Sequence, residues 1–543
     1  MIEDASVLII GGGPVGLATA LDLGRRGIET IVVERDHSTG AELLAKAGTL
    51  NERTMEICRF WGIAHEVATC GFPDDVNLDT LYCTALDGLF IGNDPRPSTN
   101  DRVPPEGAIE MLRKCPQFQF DPILARAAAA TGKVDLLYGH SFESLEQDGD
   151  GVTVQVVEID TGARRILRGR YLVACDGAGS RIRRGLGIGF PGKMLSYSVS
   201  AMLRADLSQS RFGIRNRYMF IDPNGTWANL TSVDGTDLWR FTLVGNEEKL
   251  NPATYDISVD VARAFGPEIP FELLRVFPWR RSQCTIDTYR AGRVLFAGDA
   301  AHTTSPTGGH GLNTGIGDAL SLGWMLHALL TGQGGEGLLD AYGIERRAVA
   351  IRNSSLSTRN FAAWIGATDF SRVLDPGEDG DAARREIGER MSQALQQEWT
   401  SHGVGLGYRY EGSPLIVPDG TPEPPDPVGS YVQTARPGHR APHAWLGDGR
   451  STIDLFGHGF VLLRFDPSVD VTALTAAAAA RGMELKLIDL DQPEIAALYE
   501  RKLVLVRPDA HVAWRHDGLP ADSDALVATV AGFDRSAEGR RSA

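Results

Sequence analysis

Two glycine-rich stretches carry the residue types best suited to chemistry. Gly11-Gly12-Gly13-Pro14-Val15-Gly16 has the spacing G-x-G-x-x-G, with the small residue Ala20 following. Glycines there permit a tight turn and let a pyrophosphate approach a helix N-terminus, where unpaired N–H groups and the helix dipole favour an anion. Glu34 closes the next apolar run, where a carboxylate takes both hydroxyls of an adenosine ribose. The second stretch is Arg293-Val294-Leu295-Phe296-Ala297-Gly298-Asp299-Ala300-Ala301-His302, followed by Pro306-Thr307-Gly308-Gly309-His310-Gly311-Leu312-Asn313. Asp299, just past an apolar run, is suited to accept hydrogen bonds from a polyol such as a ribityl chain. The N–H groups of Gly311, Leu312 and Asn313 can face a ring carbonyl that gains negative charge on reduction. The first stretch alone fits any dinucleotide; the second narrows the choice.

These residues need elements to position them. Residues 5–10 read as a strand, 11–16 as a turn, 17–27 as a helix and 29–34 as a second strand, which is a βαβ opening. Alternation at 152–157 and a short apolar run at 171–175 predict further strands. Strand-like pieces crowd 193–290, which predicts a second, largely antiparallel sheet inserted into the first domain. Residues 293–297 return to a buried-strand pattern, and 313–364 are mostly helical, with Glu345, Arg346 and Arg347 on the polar side. The Pro- and Gly-rich stretch 412–442 reads as a linker. Beyond it lie a strand at 460–463, an Ala-rich helix at 471–481, strands at 485–488, 503–506 and 512–514, and a helix near 522–532.

Composition sets outer bounds. With 54 Lys+Arg against 70 Asp+Glu, the 543-residue chain has a net charge of −16 and no dense basic run. Nucleic acid and anionic membrane surfaces are poor partners for it. No apolar stretch is long enough to span a bilayer, and no basic segment precedes a cleavable apolar one. The six cysteines, Cys58, Cys70, Cys83, Cys115, Cys175 and Cys284, form no C-x-x-C pair and no zinc spacing, so reduced thiols and a cytoplasmic location are expected.

Four stretches, in order, resemble the class A flavoprotein aromatic hydroxylases with the para-hydroxybenzoate hydroxylase fold, and most of all their phenol-hydroxylase-like branch. They are Gly11 to Gly16 with Glu34; Cys175-Asp176-Gly177-Ala178-Gly179-Ser180-Arg181-Ile182-Arg183; Gly298-Asp299 with its 306–313 loop; and Arg440-Ala441-Pro442-His443 with Arg507-Pro508-Asp509. The resemblance implies an α/β architecture: a Rossmann-like FAD-binding domain (1–192 and 291–365), an inserted, mainly antiparallel substrate sheet (193–290), a helical segment and linker (366–442), and a thioredoxin-like domain (443–543). No cysteine follows Cys284, so that last domain has no dithiol chemistry and is expected to be structural or dimer-supporting.

The resemblance also implies the cofactor set. FAD would be held by Gly11, Gly13 and Gly16, by Glu34 with Arg35, by Gln117 at the pyrophosphate, by Asp176, and by Asp299 at the ribityl chain. Pro306 would sit beside the flavin face, and Gly309, Gly311, Leu312 and Asn313 around its ring. Arg183 with the Asp176-Gly177 motif would serve both FAD and a passing NADPH or NADH, for which the family has no separate nucleotide domain. Two positions depart from the usual pattern. Lys46 stands where Arg is common, which keeps the charge and loses the planar fork. His310 stands where Gln is frequent and is expected to be neutral and packed.

The implied reaction is hydroxylation of a phenolic or related aromatic substrate with NAD(P)H and O2 through a flavin hydroperoxide, in a homodimer. Tyr218, Phe220, Trp227 and Trp239 are candidates for the apolar pocket wall, and the sequence assigns no catalytic base. Baeyer–Villiger oxygenation of a polycyclic ketone and a non-catalytic flavin- or ligand-binding role stay open as alternatives.

Overall fold

The computed structural model describes residues 2–39, 47–245, 248–251 and 254–533. Its first sheet is built around Ile2–Ile10, which pairs in parallel with Thr30–Val33 on one side and Arg164–Ala174 on the other. Val134–Leu137 extends the first flank and Val294–Phe296 the second, both in parallel. Val7, Leu8 and Ile9 are completely buried, as expected of a central parallel strand covered on both faces. The glycines at the end of this strand are sterically required. Gly11 has φ +111°, and a Cβ there would lie 2.3 Å from the Cys175 carbonyl oxygen; one on Gly16 would lie 2.0 Å from that of Gly11.

The middle sheet has eight strands, in the order His302–Thr303, Glu272–Thr285, Gly192–Arg204, Leu238–Leu243, Gly225–Ser232, Arg217–Asp222, Thr80–Cys83 and Phe90–Asp94. It therefore recruits strands at 80–94 and 302–303, outside the expected 193–290 segment. Strand density along the chain detects neighbours in sequence and misses partners brought in from a distance. All pairings are antiparallel except that of Arg217–Asp222 with Thr80–Cys83.

Strand alternation sends the aromatic residues of this sheet to one face. Tyr218, Phe220, Trp239 and Phe241 pack with Val261, Ala264 and Phe265 of the helix Ser258–Phe265, and Trp227 joins them. The rings of Tyr218 and Phe220 are nearly parallel, at 6° and 6.4 Å. The four aromatics expected on the pocket wall thus form the core on the far side of the sheet. The opposite face is left for the cavity described below.

The helix His310–Leu330 packs on the helix Pro14–Arg25 and on Gly337–Gly366, which also lies against strands of the middle sheet. Glu345 (2% exposed) and Arg346 (1%) are buried, not on the polar side where their charge suggested. Arg347 alone of the three reaches solvent, bonding Asp287. The 412–442 stretch has no helix or strand, yet it does not dangle. Arg409, Arg436 and His439 converge on Glu423, and Leu415, Ala435 and Arg440 are buried. The last sheet has the order Leu485–Asp489, Phe460–Arg464, Leu503–Val506, Val512–His516, the first pair parallel and the others antiparallel. With helices Thr472–Ala480, Pro493–Tyr499 and Ser523–Val530 between and after the strands, this is the βαβαββα topology of a thioredoxin-like unit.

That unit is joined to the rest through buried charges. Arg507 holds Glu345 with both terminal nitrogens, at 2.6 and 2.8 Å, and also bonds Asp509 at 2.6 Å. Arg440 bonds Glu56, which Arg53 also reaches at 3.1 Å, and Arg53 donates to the Asp509 carbonyl at 2.6 Å. Removing one partner leaves the others charged and dry. Arg507→Leu is expected to lower unfolding stability by about 3–5 kcal/mol, and truncation after Gly438 to yield insoluble protein. In the double variant Arg507→Leu/Glu345→Leu the loss should be well below the sum of the singles; additive losses in urea unfolding would show that the pair is not coupled.

Candidate active site

A single cavity of about 1490 Å³ runs from the glycine turn after the first strand to the free face of the middle sheet. At one end Gly13 caps the helix Pro14–Arg25 without any side-chain hydrogen bond, so the first N–H groups of that helix have no capping side chain. A Cβ on Gly13, Gly177 or Gly179 would meet nothing within 4 Å, and all three residues line the cavity. Gly11 and Gly16 lie behind them and serve close packing.

Two further turns complete this half. Arg183 stacks on Phe190, 3.9 Å from the ring centre, and donates to the carbonyls of Ala178 and Ala300, both at 2.8 Å, tying the Asp-Gly turn to the Gly298-Asp299 turn. Asp176 uses Oδ2 to accept from the N–H groups of Arg181 and Ile182, while its Oδ1 is buried without a hydrogen-bond partner. Asp299 is exposed on the cavity wall within the 3₁₀ turn Gly298–Ala300. Pro306, Gly309, Gly311, Leu312 and Asn313 follow along the same wall. Gly309 caps the helix His310–Leu330 with φ +68° and no side-chain bond, which leaves the N–H groups of its first turn facing the cavity. The Asn313 side chain is engaged elsewhere: Oδ1 accepts from Asn51 N–H, and Nδ2 donates to Thr49 and Gly309 carbonyls.

Asp318 supports this wall from beneath, and nothing in the motif reading singled it out. Its Oδ2 accepts from Gly298 N–H at 3.0 Å and meets His302 Nε2 at 2.8 Å, and its Oδ1 accepts from Arg346 Nε at 2.8 Å. Burial pushes its carboxyl up, but His302 and Arg346 more than offset this and hold it below the ordinary carboxylate range. The available signal was a lone acid inside an otherwise apolar helix.

The remaining expected residues fall into three groups. Gln117 lines the cavity, its side chain donating to Asp121 at 3.0 Å. Glu34 stands behind the glycine turn, accepting from Gly12 N–H at 2.6 Å and Asp36 N–H at 2.9 Å. Arg35 points into solvent, its side chain 77% exposed beside Asp36, and is not on the cavity wall. Lys46 lies outside the described residues. Empty Cβ positions at three glycines, two uncapped helix N-termini and a carboxylate on the wall fit FAD.

The other half of the cavity belongs to the middle sheet, as the sequence leads one to expect, but to the face opposite the expected aromatics, so its lining residues were missed. Arg217, Asn229, Thr231, Arg240 and Thr242 face it, with Phe277, Trp279, Trp364 and Trp399 around them. Alternation with the buried aromatics at 218, 220, 239 and 241 was the signal. Burial pulls the Lys114 ammonium down to about 7, with Arg217, Arg240 and Arg102 acting the same way. Arg281 is pulled to about 9 by burial, and it lies 4.1 Å over Phe361 while bonding Ser305. His402 Nδ1 sits 2.9 Å from Glu52 Oε1, both on the wall, a pair able to accept a proton from a bound hydroxyl. His310 is buried and pushed down to about 4, so it is neutral as expected, and its Nε2 has no partner.

Comparison with known proteins fits this geometry. Residues 4–357 match the FAD binding domain family, and residues 434–533 the aromatic-ring hydroxylase C-terminal family. The chain is 33% identical to tetracenomycin B2 monooxygenase-dioxygenase of Streptomyces olivaceus, covering 96% of this chain and 97% of that one. The structure of chromopyrrolic acid-soaked RebC with bound 7-carboxy-K252c superposes with a TM-score of 0.91 at 37% identity, covering 98% and 100% of the two chains. The flavin-dependent monooxygenase PieE in complex with FAD and substrate gives 0.86 at 30% identity, covering 98% and 99%.

Asp299→Ala removes a charged acceptor from the wall and is expected to weaken FAD binding roughly ten- to a hundredfold. Full flavin retention after dialysis would take Asp299 out of the site. His310 titrates at about 4 in the folded chain, against about 6.5 unfolded. The unfolded state therefore binds the proton first, and stability present above pH 6.5 is lost as pH falls towards 4. The wild type should lose melting temperature more steeply over that window than His310→Gln, and parallel profiles would place His310 in water.

Proposed function

This chain belongs to the FAD-dependent class A aromatic hydroxylases, and from that premise we propose that its own substrate is a fused, multi-ring phenol. The observation that carries this is the size of the cavity. Part of the 1490 Å³ is space that FAD would fill, and the rest continues past the nucleotide-binding turns to the far strands of the middle sheet, beside Phe277, Trp279, Trp364 and Trp399. The relative named for tetracenomycin B2 supports a substrate larger than phenol itself.

Bound FAD, reduced by NAD(P)H, would supply the chemistry that activates O2, one oxygen atom of which goes to the ring and the other to water. The protein provides position and environment. The uncapped helix start at Gly13 receives the pyrophosphate, Asp299 the polyol, and the first-turn N–H groups of Gly311 and Leu312 a ring carbonyl that gains charge. Phe277, Trp279, Trp364 and Trp399 exclude water around the aromatic skeleton. The His402–Glu52 pair takes up the proton of a substrate hydroxyl, which raises electron density on the ring to be attacked. The family has no separate nucleotide domain for the reductant, so the nicotinamide cofactor docks transiently. Six unpaired cysteines support a cytoplasmic setting.

Stopped-flow reduction by NADPH and NADH, with and without naphthols and larger hydroxylated polycycles, tests this reading. Reduction should be faster with the multi-ring ligand than with phenol, and under ¹⁸O₂ the product should gain one labelled oxygen. Equal reduction rates with all ligands, or a single-ring phenol hydroxylated best, would defeat it. One labelled atom in a ring-expanded ester, or in the ring-opened acid left by its hydrolysis, would favour oxygen insertion next to a carbonyl.

A further inference from the structure

Two of the free cysteines, Cys70 and Cys115, meet behind one wall of the cavity although they are distant in sequence. Cys70 follows the short helix Ala64–Ala68, and Cys115 follows the two-residue strand Arg113–Lys114. The segments 70–74 and 113–115 lie side by side, with their contacts in opposite order. Cys70 Sγ donates to the Lys114 carbonyl at 3.4 Å, the Lys114 ammonium lies 5.7 Å over the Phe72 ring, and Arg113 bonds Asp74 at 2.9 Å. This zipper brings the two thiols into hydrogen-bond contact, Cys115 donating to Cys70.

Their surroundings differ in the way a reactive thiol differs from its partner. Cys70 is half-buried, whereas Cys115 is fully enclosed. The hydrogen bond from Cys115 holds the Cys70 thiol below its ordinary range although burial opposes this. The same contact, with burial, pushes the Cys115 thiol up. A reachable sulfur with thiolate character beside a protected second thiol has the properties of an oxidisable cysteine and its resolving partner. Cys58 is the other thiol close to Cys115, and burial pushes it up, so it lacks the thiolate character needed to compete.

The pair is tied to the site by its backbone. Lys114, Pro116 and Gln117 line the cavity, and Cys115 between them is enclosed in the core behind that wall. Cys115 N–H donates to the Gly48 carbonyl at 3.1 Å and Gln117 N–H to the Ala47 carbonyl at 2.9 Å, which couples this segment to Ala47, Gly48 and Thr49 on the same wall. A disulfide holds its sulfurs about 2.05 Å apart, well inside hydrogen-bond contact, so closing one draws the two segments together by about 1 Å. A shift of about 1 Å in residues that position a reaction costs up to about a hundredfold in rate.

We propose that Cys70 and Cys115 form an oxidation site that slows the enzyme when it makes hydrogen peroxide in place of product. The established chemistry supplies the oxidant. O2 that meets reduced FAD with no ring to oxidise takes up two electrons and two protons and leaves as H2O2. The Cys70 thiolate attacks one peroxide oxygen, the O–O bond breaks, and the hydroxide released takes up the thiol's proton and leaves as water. The Cys115 thiol then attacks the sulfur of the resulting sulfenic acid, forming the S–S bond and releasing a second water. Two thiols and one H2O2 thus give one disulfide and two waters. A thiol reductant reverses the change, as for other transient disulfides of reducing compartments.

The test uses full-length, FAD-loaded wild type, Cys70→Ser and Cys115→Ser, each treated with H2O2 and then freed of it. Peptide mapping without reductant should show a wild-type species in which Cys70 is linked to Cys115. Flavin reduction by NADPH or NADH should then be at least about tenfold slower, and dithiothreitol should restore it. Cys70→Ser should start from the wild-type rate and keep it through the treatment. Cys115→Ser, left without a resolving thiol, should be trapped by dimedone as an adduct at Cys70. Melting temperature and flavin content confirm that each variant is folded, and Cys70, being half-buried, tolerates serine.

Absence of the linked peptide from treated wild type would overturn the site. A linked peptide with no slower reduction, equal slowing in Cys70→Ser, or a loss that dithiothreitol does not reverse would overturn its effect on the reaction. None of these outcomes bears on the multi-ring substrate, which is read from the untreated enzyme.

Discussion

The arrangement of this enzyme depends on buried carboxylates that are paired with buried guanidinium groups. Asp318, Glu345 and Glu56 are each buried, and each faces at least one buried arginine. A carboxylate removed from water must be paired, so the partner helices and the tail can dock in only one relative position. Asp318 fixes the 3₁₀ turn under Asp299 and reaches Arg346, whose guanidinium lies 3.3 Å from the Tyr410 hydroxyl. Arg507, holding Glu345, lies over the same Tyr410 ring. The nucleotide wall and the thioredoxin-like unit are thus parts of one buried polar network. Such a network confers definition more than net stability, because desolvation offsets much of what the pairs gain.

This explains why a domain without cysteines belongs to the redox protein. Arg440 and Arg507 of the tail pair with Glu56 and Glu345, on the helices Glu52–Trp61 and Gly337–Gly366, which pack against His310–Leu330, the helix that the nucleotide loop leads into. Their contribution is to the position of Asp318 and its neighbours, two helical turns away from the surface that meets the cofactor.

The middle sheet divides its labour by parity. One face is aromatic and dry, and the other carries arginine, asparagine and threonine towards the cavity. Each strand therefore encodes both a core and a site in alternate residues. The opposition between an acidic protein surface and a cationic interior wall follows from the same division. Polar residues placed on the enclosed face lose water on folding, and their charges are felt strongly by whatever enters.

Local chemistry made much of this protein legible in the sequence. The glycine turn with Glu34, the Gly298-Asp299 turn and the loop to Asn313 are contiguous, and steric needs such as the positive φ at Gly11 and Gly309 act within a few residues. The tail was readable for the same reason, since its strands follow one another and lack any cysteine. What the sequence left undecided is which side of a strand faces the ligand. Periodicity shows that Tyr218 and Phe220 share a face, but only the helix Ser258–Phe265, packed from another part of the chain, makes that face the core. Charge misled in the same way: Glu345 and Arg346 looked solvent-facing because their partners, Arg507 and Asp318, are distant in sequence. Burial of a charged residue is a property of its pair, and the pair exists only once the chain has folded.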